Sequence, residues 1–155
     1  MQSPDDGAAA AGNAFSRGAR RRLPDDASCP CGGGRFGDCC GPWLRGADAP
    51  SAETLMRSRY SAFALRDGDH LLRTWHPATR PVRLELDDQL FWEGLTVDAV
   101  EGGAPGDRRG IVAFRARWRD AADGSRGELV ERSRFRSDGA RWWYLDGQSE
   151  SVSNR

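Results

Sequence analysis

The sequence predicts an α+β fold in which two short helices precede an antiparallel sheet curled over them. Three observations carry that expectation. Apolar residues recur at helical spacing from Leu55 to Trp75; from Val82 onward the hydrophobic period falls to two; and Asp123-Gly124 and Asp138-Gly139 punctuate the alternating runs as turns. Helices first and a meander afterwards is the order of an α+β domain whose sheet has one face on the core and one in water. The 155 residues, 38% hydrophobic and 30% charged, suit a single core of this kind.

Residues 1–26 carry a Gly/Ala tract, Arg20 to Arg22 and Pro24-Asp25-Asp26, with few large apolar groups to offset ordering entropy, and are expected to form a flexible tail. A cysteine-rich segment occupies 27–46. Ser51 reads as the N-cap of a first helix running to about Arg66, with Leu55, Met56, Tyr60 and Phe63 on one stripe. Glu53 and Arg57, four apart, form a surface pair. Arg59 is the charged exception one turn from Leu55 and Phe63, and is expected to reach inward. Asp67-Gly68-Asp69 ends this helix and caps a second, packed through Leu71, Leu72 and Trp75, until Pro77 takes His76 out of helical geometry. His70 is expected to be exposed in its first turn.

Strand signals follow. Val82, Leu84 and Leu86 alternate with Arg83 and Glu85, and Leu95, Val97 and Ala99 with Thr96 and Asp98. Val112, Phe114, Ala116 and Trp118 share a face, as do Leu129, Glu131, Ser133 and Phe135, and a hairpin leads into Arg141 to Leu145. The domain is expected to span 47–148, with 149–155 as a C-terminal tail.

The charge pattern excludes more than it assigns. The 23 cations balance 23 anions, so no global cationic field argues for nucleic acid or membrane. All the cations are Arg. Without Lys there is no Schiff-base nucleophile or P-loop lysine, and GxxxxGK[ST], HExxH and GxSxG are absent. Residues 82–107 carry one Arg against seven acids, whereas 108–141 carry ten Arg against five. The alternating Arg115, Arg117, Arg119 and Arg132, Arg134, Arg136 are therefore expected to form a solvated face balanced by acidic neighbours, rather than a nucleic-acid ladder. An acidic start without an apolar stretch predicts a cytoplasmic protein with no membrane partner.

All four cysteines lie in Cys29-Pro30-Cys31-Gly32-Gly33-Gly34-Arg35-Phe36-Gly37-Asp38-Cys39-Cys40. Four thiolates supply the soft tetrahedral donor set of a structural zinc site, and glycines let backbone approach the sulfurs. Two disulfides, free thiols, or redox chemistry at Cys39-Cys40 are the alternatives. The run Cys-Pro-Cys-Gly-Gly-Gly, an aromatic, and Cys-Cys-Gly-Pro resembles the SEC-C zinc motif. Leu55-Met56-Arg57-Ser58-Arg59-Tyr60-Ser61-Ala62-Phe63, Leu71-Leu72-Arg73-Thr74-Trp75-His76-Pro77 and Thr79-Arg80-Pro81 resemble the YchJ family of small bacterial metal-binding proteins. The resemblance covers 28 to about 147 and implies a cone-shaped domain similar to nuclear transport factor 2 and the SnoaL-like proteins, behind an N-terminal zinc knuckle. It implies one Zn²⁺ per chain, on Cys29, Cys31, Cys39 and Cys40. Seven residues separate Cys31 from Cys39, one fewer than in the common motif, and no second cysteine cluster follows Gln148.

A curled sheet closed by helices encloses a pocket. Its candidate lining is Arg59, Tyr60, Trp75, His76, Trp118, Glu131 and Ser133, with Arg59 meeting Glu131 inside. The expected role is a binding or adaptor module for a protein or small ligand. The other reading is a small isomerase, dehydratase or hydrolase with His76 or Glu131 as the acid/base catalytic residue. Because the knuckle is short and precedes the core, it is expected to unfold separately from the cone.

Overall fold

A computed structural model describes residues 20–154. After a 3-10 turn at Phe36–Asp38 come three helices, α1 (Gly41–Leu44), α2 (Ala52–Leu65) and α3 (Gly68–Arg73). Four strands follow, β1 (Leu90–Gly102), β2 (Arg109–Asp120), β3 (Arg126–Ser137) and β4 (Trp142–Asn154). They form one antiparallel meander in the order β1-β2-β3-β4. This is the α+β architecture read from the sequence, with the cysteine cluster at the N-terminal end. None of the described helices is long and apolar enough to cross a membrane.

The helix boundaries follow from local chemistry. Ser51 Oγ accepts from the Thr54 amide at 3.1 Å and so caps α2, and Asp67 accepts from the His70 amide at 3.1 Å and caps α3. Between them Arg66 takes the left-handed conformation, φ 61°, which stops α2. Its guanidinium stabilises that unusual backbone from outside the helix by donating to the carbonyls of Asp87 and Asp88, both at 2.9 Å.

The sheet departs from the expected pattern in two places. Val82 to Leu86 forms no strand, and Val82 is 96% exposed. Pro81 precedes the run, and only Leu84 and Leu86 rest on the core, so the alternation marks a loop lying across the sheet end. In β1 the register shifts between Val97 and Ala99, so that Val97 opposes Phe114 but Ala99 opposes Ala113. The extra residue, Asp98, turns Ala99 out of the face that Leu95 and Val97 share.

Both expected tails are shorter than their predicted spans. β4 continues to Asn154, paired with Arg126, where a tail from 149 was expected. At the other end the Arg21 amide donates to Leu65 O at 2.8 Å and Arg20 pairs with Asp67 at 3.2 Å at the end of α2, while Asp25 O accepts from the Gly37 amide at 2.9 Å in the cysteine segment. The rest of the expected N-terminal tail lies outside the described residues.

The β2–β3 register sets Phe114 opposite Glu131 and Val112 opposite Ser133, which puts the two predicted strand faces on one concave surface. On the convex surface the arginines meet acids: Arg115 with Asp98 at 2.9 Å, Arg119 with Glu93 at 3.0 Å, Arg132 with Glu101 at 2.9 Å and Arg134 with Asp146 at 2.6 Å. α2 lies between this sheet and the cysteine segment. Phe36, Leu44 and the buried cysteines join Leu55, Met56, Leu71, Phe114 and Phe135 in one continuous apolar core. The knuckle is thus built into the core of the cone rather than appended to it.

Candidate metal centre and cone cavity

The cysteine segment folds as a tight loop closed on itself. The Cys29 amide donates to Gly34 O at 2.7 Å and the Gly32 amide to Cys29 O at 3.0 Å, a return that requires positive φ at Gly32 and Gly34. The four sulfurs of Cys29, Cys31, Cys39 and Cys40 gather within 4.8 Å of one another as free thiols. Cys29 and Cys31 lie 3.6 Å apart and Cys31 and Cys39 3.5 Å, too far for a disulfide. Gly33 makes room for them, since a Cβ there would stand 2.9 Å from Cys39 Sγ and 3.3 Å from Cys31 Sγ.

The electrostatics of the cluster favour a cation. Hydrogen bonding with Cys31 and Cys40 holds Cys29 far below the ordinary thiol range. Burial, then the Cys31 sulfur, pushes Cys39 up to about 12, and hydrogen bonding to Cys29 and Cys31 pushes Cys40 up further. Four thiolates this close cannot all ionise against one another. A dication removes that conflict, so the donor set, its spacing and the cradle at Gly33 fit a metal ion. α2 holds the cluster in place: Ser61 Oγ lies 3.6 Å from Cys29 Sγ, and Arg57 donates to Cys31 O at 3.3 Å. That carbonyl gives Arg57 a role beyond its expected pairing with Glu53 at 3.0 Å.

The other side of α2 looks into a cavity of about 180 Å³ against the concave sheet. Of the predicted lining, Arg59, Tyr60, Trp75, Glu131 and Ser133 are there. Arg59 is 6% exposed and donates through Nη1 to Leu71 O and Thr74 Oγ1, both at 2.8 Å. Its guanidinium carbon sits 4.2 Å from the Tyr144 ring centre and 5.2 Å from that of Trp75. Burial draws its pKa down to about 10, which leaves it charged at neutral pH. Glu131 accepts from Ser133 Oγ, and burial pushes its carboxyl up while that hydrogen bond and the Arg59 charge pull it back. Gly147 on β4 permits this placement, because a Cβ there would be 2.6 Å from Glu131 Oε2.

Arg59 and Glu131 share the cavity but form no ion pair, contrary to the expectation that they meet. The carbonyl at the end of α3 and the hydroxyl of Thr74 capture the guanidinium first, and the Tyr144 face holds it there. His76 and Trp118 also fall outside the cavity lining. Trp75 and Tyr144 form a parallel bridge in which the His76 amide donates to Tyr144 O at 2.8 Å. Trp75 thereby faces the cavity while His76 turns away, its Nδ1 accepting from the Ala78 amide at 3.0 Å and its ring edge-on to Trp143. Trp118, half-buried, sits further along β2, opposite Gly127 and Trp92.

His70, expected to be exposed, is 1% exposed. Arg73 donates to its Nδ1 at 3.0 Å, so Nε2 carries the proton and donates to Ser58 Oγ at 2.9 Å, whose hydroxyl in turn donates to Leu55 O at 2.7 Å. Burial and the Arg73 charge draw its pKa down to about 3. Tyr144 and Trp92 were not among the predicted lining residues. The run Trp142-Trp143-Tyr144 was the available signal for Tyr144, since in a strand flanked by aromatics the inward residue is set by register, here Phe135 opposite Tyr144.

Comparison with known proteins adds the lineage. The family model described as the YchJ middle NTF2-like domain matches residues 51–147. A UPF0225 protein of Chromobacterium violaceum is 47% identical over 127 residues, covering 78% of this chain and 92% of the relative. Another, from Streptomyces coelicolor, is 50% identical over 123 residues, covering 77% and 94%. The solution structure of a SEC-C motif-containing protein from Rhodopseudomonas palustris superposes with a TM-score of 0.67 at 36% identity, covering 79% of this chain and 98% of that one. A crystal structure of a SEC-C motif-containing protein from Psychrobacter arcticus gives 0.64 at 29% identity, covering 79% and 82%. The family-model match over 51–147 and relatives 47% and 50% identical over most of their length place this chain in the YchJ family, to which it belongs.

Proposed function

We propose that this protein is a zinc-held binding module whose cone takes a small, largely apolar molecule. The observation that carries the reading is the cavity of about 180 Å³ between α2 and the sheet, walled by aromatic and aliphatic side chains with Arg59 and Glu131 as its charged groups. A largely apolar cavity, partly open to solvent, with a few convergent polar groups is the usual form of a ligand site. Cys29, Cys31, Cys39 and Cys40 hold the zinc. The ion, when bound, supplies charge neutralisation and a cross-link between the two ends of the loop. Clustered thiols of this kind suit a reducing compartment, which favours the cytoplasm.

The raised carboxyl of Glu131 supports a second reading, a small isomerase, dehydratase or hydrolase in which Glu131 moves a proton. Binding is preferred because, among the described residues, no histidine lines the cavity to relay a proton for the Ser133–Glu131 pair. Two measurements test the proposal. Metal analysis of protein purified under reducing conditions is expected to find about one zinc per chain in the native protein, lost in Cys40→Ser; two disulfides and no metal would overturn the zinc assignment. Titration with benzene-sized probes is expected to shift amide resonances around the cavity, and an unchanged spectrum with every probe would overturn the small-molecule reading.

A further inference from the structure

Each charged group of the cavity has hydrogen-bonding capacity to spare. Arg59 uses Nη1 for Leu71 O and Thr74 Oγ1, while its Nε and Nη2 have no hydrogen-bond partner among the described residues. Glu131 accepts from Ser133 at Oε2, and Oε1 has no partner. Each feels the charge of the other without forming an ion pair. Both side chains line the cavity, where a guest can reach their remaining atoms, so a guanidinium and a carboxyl with spare capacity define a polar end for a ligand.

The remaining wall defines the rest of that ligand. Tyr60 and Phe63 stand edge-on to Trp92 at 6.4 and 6.3 Å, and Trp75 and Phe135 edge-on to Tyr144 at 5.0 and 5.8 Å. The volume of about 180 Å³ bounds the part of a guest that sits inside the partly open cavity. An apolar cavity of about 150 Å³ holds one benzene ring, so there is room here for one ring and one head group.

We infer that the cone takes a single-ring molecule whose neutral head group both accepts and donates a hydrogen bond, a phenolic hydroxyl or a primary carboxamide, seated between Arg59 and Glu131. The inference rests on the small-molecule reading above and narrows it to a ligand class. A ligand carboxylate would satisfy Arg59 but face the Glu131 carboxyl, and an ammonium would satisfy Glu131 but face Arg59. A head that accepts from Arg59 can also serve Glu131 in either protonation state, by donating to the carboxylate or accepting from the acid. That matters because burial raises the Glu131 carboxyl.

The full chain is titrated near neutral pH with phenol, benzamide, benzene, benzoate and benzylammonium, using calorimetry and amide chemical shifts. Phenol or benzamide is expected to bind about tenfold more tightly than benzene, with both ions weaker than the neutral probes. Glu131→Leu is expected to weaken the better neutral probe without weakening benzene, Arg59 remaining as a donor. If that variant does not fold, Ser133→Ala, which removes the hydroxyl holding Glu131 in place, is expected to weaken phenol but not benzene. Equal affinity for phenol, benzamide and benzene would overturn the head-group assignment while leaving a binding cone. Tightest binding by benzoate or benzylammonium would overturn it by making the site ionic. No binding by any probe would overturn the small-molecule reading together with this inference.

Discussion

His70 is buried as a neutral ring between Arg73 and Ser58, and the unfolded chain would protonate it with the ordinary pKa of 6.5. Its folded value, about 3, is depressed, so between these two values the unfolded state binds the extra proton. The neutral ring's contribution to stability is therefore complete above pH 6.5 and lost as pH falls toward 3. Stability is expected to decline by up to about 1.4 kcal/mol per pH unit in that window from this residue. Urea titrations across the window check it: His70→Gln should show a shallower decline than the native chain, and identical slopes would mean another group is responsible. Nothing local signals this burial, because Asp69-His70 on a helix start reads as exposed; a contact with α2 at Ser58 buries it. Arg59 was legible as an inward cation because it interrupts an apolar stripe. Its partners were not legible, since a helix-end carbonyl becomes an acceptor only once α3 has docked.

At the scale of elements, α2 and α3 could be read from their caps, which are local, and the strands β2 to β4 from turn residues and alternation. β1 could not, because the bulge at Asp98 and the loop from 82 to 89 depend on pairing with β2 and on the Arg66 donors rather than on their own sequence. The cysteine loop was legible for the same reason as the caps: its chemistry is contained within twelve residues. Its glycines differ in what they do. Gly33 has an ordinary backbone but no room for a Cβ beside two sulfurs, so Gly33→Ala should displace Cys39 or Cys31. Displaced ligands weaken metal retention by about 10- to 100-fold, by analogy with changes in groups that orient ligands. Competition with a chromophoric chelator measures this, and Gly46→Ala, with open space around its Cβ position, serves as a control with positive φ far from the sulfurs. Equal retention by Gly33→Ala and the native chain would show that the loop yields without cost.

For the whole molecule, the expectation of a knuckle that unfolds alone gives way to a single core. Leu44, Phe36 and the buried cysteines pack with Leu55 and Met56, so removing the tie at the cysteines exposes one side of the helix that supports the sheet. Chelation is expected to lower the melting temperature of the entire chain in one transition, by about 10 °C or more given a metal contribution of several kcal/mol. Circular dichroism of the sheet together with amide exchange at the cysteine loop distinguishes the cases: coincident loss supports one core, while a loop that exchanges freely before the sheet melts would restore the separate knuckle.

α2 carries the two sites on opposite sides, with Arg57 and Ser61 at the sulfurs and Arg59, Tyr60 and Phe63 at the cavity. Its side chains are separated by single positions in the chain, so any rotation or shift of the helix that alters one site alters the other. Any coupling between a metal at the sulfurs and a guest in the cone would be reciprocal: whatever factor the metal contributed to ligand affinity, the ligand would return to metal affinity. With positive coupling, loss of the ion would loosen the cone's hold on its guest, and with negative coupling it would tighten it, so guest affinity compared with and without metal reads the sign.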